Sequence, residues 1–195
     1  VEDFKATLDL EEIQWIEGHA YAYAQNIPYF PLIDFLNGVF HIEERDSSEK
    51  IREKIESGIK GITGNSKEIV PYVGNLLSVR FGNERDDRIK YLPAEQVKYQ
   101  TFLTLRDIFH TLSQQKPLLL ILEDMHWSDN LSLDLLNLMM DDLSLAPMLL
   151  LCVYRPYREH RSWHISSQAS AKCLDRYTEV TLRGLTEHES RRLVQ

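Results

Sequence analysis

Leu118-Leu119-Leu120-Ile121-Leu122-Glu123-Asp124 is the stretch that decides how this 195-residue chain reads. Five consecutive apolar residues are far below the roughly 20 needed to cross a bilayer. They have strand length, and a run that is apolar on both faces suits a parallel strand covered from two sides. Pro117 bounds the run on one side and two carboxylates on the other. In open α/β sheets ligands sit beyond the carboxyl ends of the strands, so Glu123 and Asp124 point to where a ligand would lie.

Downstream, the pattern predicts a helix over 130–143 and a second buried strand over 148–154, the alternation that a parallel crossover requires. A polar stretch, 158–172, reads as irregular, 177–182 alternates as a strand, and Thr186 with Glu189 forms a capping box for a last helix. Upstream, Pro93-Ala94-Glu95 opens a long helix with Phe102, Leu105, Phe109 and Leu112 on one stripe, ending before Lys116-Pro117. Before it come a charged loop, 82–90, and a helix carrying Ile69, Val70, Val73, Leu76 and Leu77 to about residue 79.

Glycines and Asn65 break the pattern between 58 and 66, and Asp46-Ser47-Ser48-Glu49 resembles a capping box for a helix with Ile51, Ile55 and Ile59 on one face. Pro31 suits the first position of a helix over 31–40 that turns Leu32, Phe35, Leu36 and Val39 inward. Ile13-Gln14-Trp15-Ile16 reads as a strand before Gly18, after a helix around 4–8. The class is α/β.

Composition sets the frame. With 43% hydrophobic residues the chain can bury one core. A net charge of -8 argues against a broad phosphate-binding surface and so against nucleic acid as a partner. Cys152 and Cys173 have no spacing that suggests zinc or a disulfide framework, which fits a reducing, cytoplasmic setting. The apolar stretches and the absence of a leader pattern predict a soluble chain without a membrane span. Val1 is not an initiator Met and Leu193-Val194-Gln195 stops within a predicted helix, so an excerpt of a longer protein is expected.

An apolar strand followed by two acids resembles the Walker B element of P-loop ATPases, in which one carboxylate holds magnesium and the next polarises the attacking water. The blander alternative is a strand whose terminal acids are solvated or cap the next helix. The longer string Leu119-Leu120-Ile121-Leu122-Glu123-Asp124-Met125-His126-Trp127-Ser128-Asp129, with Ser132-Leu133, is similar to the extended Walker B of the signal-transduction (STAND) ATPases within the AAA+ class. The family continues to a buried strand ending in Arg-Pro, matched by Met148-Leu149-Leu150-Leu151-Cys152-Val153-Tyr154-Arg155-Pro156. Trp15-Ile16-Glu17-Gly18, Tyr23-Ala24-Gln25-Asn26-Ile27-Pro28-Tyr29-Phe30-Pro31-Leu32, Leu174-Asp175-Arg176-Tyr177 and Leu182-Arg183-Gly184-Leu185 extend the likeness over most of the chain.

The resemblance implies a three-layer αβα P-loop NTPase fold with a central parallel sheet, incomplete at the N-terminus. It implies a partial ATPase core over 1–183 and the start of a helical lid over 184–195. ATP and Mg2+ are the implied ligands. Glu123 is assigned to magnesium and Asp124 to the attacking water, both carboxylates being candidate metal ligands and candidate catalytic groups. Arg155 takes the sensor position near the terminal phosphate, against the alternative of a surface ion pair, and Asp129 caps the next helix while supporting the nucleotide site.

The P-loop signature needs a glycine followed by Lys, and no glycine here is followed by Lys. Gly61-Ile62-Thr63-Gly64-Asn65-Ser66-Lys67 comes nearest but has the wrong spacing and lies between predicted helices. In the family the P-loop precedes the Trp15 strand by a helix, which places it before Val1. ATPase activity then requires a loop outside these residues.

Close parents in this resemblance are multidomain bacterial signalling or transcriptional regulators, in which such a domain follows a class III nucleotide cyclase and precedes tetratricopeptide-type repeats. Implied partners are therefore the output domain and helical repeats of the same chain, with homo-oligomerisation as a further one. The competing function is a non-hydrolysing nucleotide-binding scaffold, which the Glu-Asp order leaves open, and a DNA-associated ATPase is a minor alternative.

Other residues invite chemistry and have plainer readings. His126 with Asp124 and Asp129 lacks a recognised metal geometry, so packing of the turn is favoured. His160, Trp163 and His164 read as a solvated loop, with a contact loop as the alternative. Tyr21, Tyr23, Tyr29 and Phe30 read as ordinary packing, with base stacking as the alternative.

Overall fold

A computed structural model describes residues 1–63, 66–82, 84–186 and 191. The elements in chain order are α1 (Glu2–Lys5), β1 (Gln14–His19), α2 (Phe30–Val39), α3 (Ser48–Thr63), α4 (Ser66–Leu76), α5 (Glu84–Lys90), α6 (Ala94–Gln115), β2 (Leu118–Glu123), α7 (Asn130–Asp142), β3 (Met148–Cys152) and α8 (Ile165–Cys173). Short 3-10 turns, Met125–Trp127 and Arg161–His164 among them, join these elements. No helix among the described residues is long and apolar enough to cross a membrane.

The apolar run is the middle strand. β2 pairs in parallel with β1 on one side and β3 on the other, in a register that aligns Ile16, Leu120 and Leu150, and Gly18, Leu122 and Cys152. All five of its apolar residues are buried, each contributing about 1.5–3 kcal/mol relative to exposure. Leu118, Leu120 and Leu122 join one cluster with residues of α2, α3, α4, α6 and α7, with Phe35 and Phe109 meeting edge-to-face at 4.7 Å. Strands added in sequence order by right-handed crossovers carry their connecting helices on one face, which is the arrangement of this cluster.

Trp15, Leu119, Ile121 and Leu149 belong to the other face. There α1 packs against β1: Lys5 bonds the Glu17 carboxylate at 2.9 Å and lies over the Trp15 ring, and Phe4 meets Trp15 at 6.0 Å. The Trp15 indole N–H also donates to Glu17. The α/β class and the parallel sheet are as read from the sequence.

Two close approaches explain where glycine is needed. A Cβ on Gly18 would overlap the carbonyl oxygen of Pro31 and press on Leu122 Cδ2 at 3.2 Å, so α2 can lie against β1 only because Gly18 has no side chain. On α3, a Cβ on Gly58 would enter the Phe40 ring, with Cε1 at 3.0 Å. That contact, with Ile55 and Ile59 fully buried, carries α3 through Gly58 and Gly61 to Thr63, where the glycines suggested a break. Gly64 and Asn65 lie outside the described residues, while Ser66 and Lys67 already belong to α4.

Several expectations need correction. β1 runs through Gly18 to His19 because its ladder to β2 continues that far. The first helix ends at Lys5 and does not reach Leu8. The segment read as a charged loop contains α5, whose Asp86 carboxylate accepts the N–H groups of Phe81 and Gly82 at 3.0 and 2.8 Å. Residues 158–172 contain the turn Arg161–His164 and most of α8; its buried residues Ile165 and Ala169, four apart, were too few to show a helical stripe. Residues 177–182 form no strand, since no strand edge among the described residues pairs with them, and Val180 and Leu182 are left 76% and 87% exposed. Glu189 of the last capping box lies outside the described residues.

The segment Asp46-Ser47-Ser48-Glu49 does start α3, and the Ser47 hydroxyl accepts from the Lys50 N–H at 3.3 Å. Asp46 instead grips Lys50 and Lys54 at 2.6 and 2.5 Å and accepts the Glu43 N–H at 2.8 Å. These contacts, Lys50 first, hold its carboxyl well below the usual carboxylate range.

Two tests follow from the packing. Gly18→Ala is expected to destabilise the chain by about 2 kcal/mol, in the range of overpacked cores, read by urea unfolding. Since the Asp46 carboxyl is depressed in the fold, its contribution is fully present above its ordinary value near 3.8 and is lost as pH falls through the lower native one. The stability gap between wild type and Asp46→Asn should therefore stay constant from pH 7 to about pH 5 and narrow below about pH 4. A gap that is the same at pH 3 and pH 6 would remove this role.

Candidate functional site

The carboxyl end of β2 is pinned from both sides. The Ala20 N–H donates to Glu123 O at 3.0 Å, the Val153 N–H to Leu122 O at 2.8 Å, and the Met125 N–H to Val153 O at 3.0 Å. Asp124 is the residue between these bonds, and it turns the chain out of the sheet at φ 55°, ψ 32°. That left-handed region costs most side chains energy but suits Asp and Asn better than other non-glycine residues. The Trp127 N–H then closes the turn onto Asp124 O at 2.8 Å.

The result is a carboxylate pushed toward solvent. The Asp124 side chain is 57% exposed and Glu123 is half-buried, and neither has a Lys or Arg partner among the described residues. His126 Nδ1 lies 3.9 Å from Asp124 Oδ1. Free carboxylate oxygens are the hard donors that magnesium takes, usually one or two of them beside water and phosphate oxygens. No group of three or more His, Cys, Asp or Glu that could hold a metal occurs among the described residues. Glu123 and Asp124 therefore fit magnesium only in company with a ligand's own oxygens. His126 is buried against the Trp127 and Tyr157 rings, the packing role read for it.

Asp129 behaves differently. Its Oδ1 accepts the N–H groups of Leu131 and Ser132 at 2.9 and 3.0 Å, and its Oδ2 takes the Ser132 hydroxyl at 2.5 Å. Both oxygens are spent on the start of α7, which is the capping half of the role read for it.

Arg155 leaves β3 on the same side of the sheet as Asp124. The residue is exposed and makes no ion pair among the described residues. Its backbone N–H donates to His126 Nδ1 at 3.3 Å. Burial pushes the His126 ring below the usual histidine range, opposed by Asp124 and reinforced by Arg155 and His160. Trp127 and Tyr157 stand against that ring at 4.8 and 5.3 Å.

His160 is not part of a solvated loop. Its Nε2 faces Ser128 O at 3.1 Å, and its Nδ1 accepts the Ser162 N–H at 3.2 Å beside a fully buried Ser162. It ties the turn Arg161–His164 to the turn after Asp124. Tyr29 packs in the core, edge-on to Phe102 at 6.0 Å, as the ordinary-packing reading has it, whereas Tyr21 and Tyr23 are exposed at the end of β1, Tyr23 by 77%, against a half-buried Phe30.

His19 escaped the reading of the sequence altogether. It aligns with Glu123 across the sheet and bonds Asp34 through its backbone N–H at 3.1 Å and its Nδ1 at 3.0 Å. Only the strand register brings it there.

Asp129→Ala should cost about 1–2 kcal/mol through the lost cap, measured by urea unfolding, with Asp129→Asn or Asp129→Ser recovering most of it. A loss below about 0.3 kcal/mol would contradict the cap.

A family model described as "AAA ATPase domain" matches residues 1–152. Neither the curated proteins nor the solved structures contain a match to the chain.

Proposed function

We propose that this chain, which belongs to the AAA ATPase domain family, is the magnesium-side portion of an ATP-hydrolysing switch. The observation that carries the reading is the pinned, left-handed Asp124, whose exposed carboxylate, like that of Glu123, has no Lys or Arg partner among the described residues, with an exposed Arg155 following β3 at the same end of the sheet.

The phosphate-binding loop is the missing part, since no Gly-Lys step occurs. Two features of the sheet support a place for it. β3 pairs only with β2 among the described residues, so its outer edge is open, and Leu149 is 55% exposed. The alternating segment 177–182 has strand character and no partner. One parallel strand inserted beside β3 answers both, and the loop at its carboxyl end then lies next to Arg155 and Asp124. We assign that strand and loop to sequence preceding Val1.

With nucleotide in place, Glu123 would hold magnesium, which when bound would neutralise charge on the phosphates. Asp124 accepts a proton from the attacking water, and its solvent-facing position lets water reach it. Arg155 donates to the terminal phosphate and reports its loss. Asp129 acts by holding the turn, not by touching nucleotide. Residues 1–183 form the core in this reading and 184–195 begin a lid. The setting is a cytoplasmic, multidomain bacterial signalling or transcriptional regulator, with a class III cyclase as an associated output and helical repeats beyond the lid; this wider setting is supported by sequence likeness alone.

The test is magnesium-dependent ATP turnover by the protein extended upstream of Val1 to include a phosphate-binding loop. Asp124→Asn, which tolerates the left-handed backbone, should lower kcat by about 100-fold or more while nucleotide Kd stays within about threefold. Arg155→Ala should lower kcat by about tenfold or more. An unchanged rate in Asp124→Asn removes the role of Asp124, and tight binding without turnover in the wild type favours the non-hydrolysing scaffold.

A further inference from the structure

The ladder between β2 and β3 ends with Val153, whose N–H and C=O are both used. Beyond it, the Arg155 carbonyl accepts only the local Tyr157 N–H at 2.8 Å, and the bond that ties the Arg155 backbone back to the Asp124 turn is the one from its N–H to His126 Nδ1 at 3.3 Å. Pro156 follows and restricts Arg155 to extended geometry, so fixing this one N–H fixes the direction in which the arginine departs.

The His126 side chain is fully covered and packs against the Trp127 and Tyr157 rings. A backbone N–H can only donate, so Nδ1 is the acceptor and the neutral ring carries its proton on Nε2. Nε2 is buried and finds no partner among the described residues. A buried polar atom without a partner is uncommon and unfavourable, and an apolar side chain would pack this turn without it. What an apolar side chain could not supply is the acceptor at Nδ1.

We propose that His126 is a positioning residue: its Nδ1 locks the backbone of Arg155 to the Asp124 turn, so that the arginine and the acid keep one fixed spacing at the carboxyl end of the sheet. The functional consequence rests on the ATPase reading above; the mechanical link does not. The imidazole then couples Arg155 to the Asp124 turn beyond the Met125–Val153 bond that ends the ladder.

The experiment compares His126→Leu, which keeps bulk but has no acceptor, with His126→Asn, whose Oδ1 takes the place of Nδ1. Two quantities are read: hydrogen exchange at the Arg155 amide in the 195-residue chain, and the kcat against KM split for ATP in the extended protein. His126→Leu should speed exchange at Arg155 by about tenfold or more and lower kcat by about tenfold or more with KM within about threefold. His126→Asn should restore both to within about threefold of wild type. Should His126→Leu fail to fold, His126→Gln replaces it, because its acceptor sits at the reach of Nε2 and should not protect Arg155. Equal behaviour of the Asn variant and the Leu or Gln variant overturns the proposal. If wild-type protein binds ATP without turnover, the hydrolysis reading falls, and the exchange comparison alone decides the role of His126.

Discussion

Parallel pairing of β2 on both sides is the constraint from which the site follows. A strand with neighbours on both edges and both faces covered, as the buried Leu119 and Ile121 show for the second face, is apolar throughout and leaves the sheet where its apolar residues end. Here it leaves at Asp124, between the Ala20–Glu123 bond and the Met125–Val153 bond. With both neighbouring residues held, the backbone of Asp124 has little choice but to adopt the left-handed turn. The carboxylate is thereby aimed outward by the ladder and not by any partner of its own.

Around this point the structure spends polar groups in two distinct ways. Asp129, His160 and Ser162 are consumed by the caps and turns that hold α7 and the turn Arg161–His164 in place. Glu123, Asp124 and Arg155 have no such employment among the described residues. In the proposed reading these are the charges that would meet a magnesium-bound phosphate chain.

The helical cluster on one face of the sheet has a cost for the rest of the sheet. Three strands placed in sequence order gather α2, α3, α4, α6 and α7 against Leu118, Leu120 and Leu122, and leave the edge of β3 and the apolar Leu149 without cover. The segment 177–182 shows the same shortage from the other side, as an alternating sequence without a ladder to join. Strand propensity cannot be realised by one segment alone, because its N–H and C=O groups need a second one.

What the amino-acid sequence determined by itself is everything that depends on local composition: the buried strand from Leu118 to Leu122, its terminal acids, the helix start at Asp129, the long apolar stripe of α6 and the arginine after β3. Each is encoded by residues a few positions apart, through burial on one face or through a side chain reaching its own backbone. Tertiary structure alone decided the rest. The left-handed turn at Asp124, the burial of His126 against Arg155, the tie from His160 to Ser128 and the alignment of His19 with Glu123 all join residues that only the register of β1, β2 and β3 brings together. The same holds for the failed strand at 177–182 and for α8: one lacked a neighbour that its sequence could not supply, and the other found a neighbour in α7 that its weak pattern did not announce.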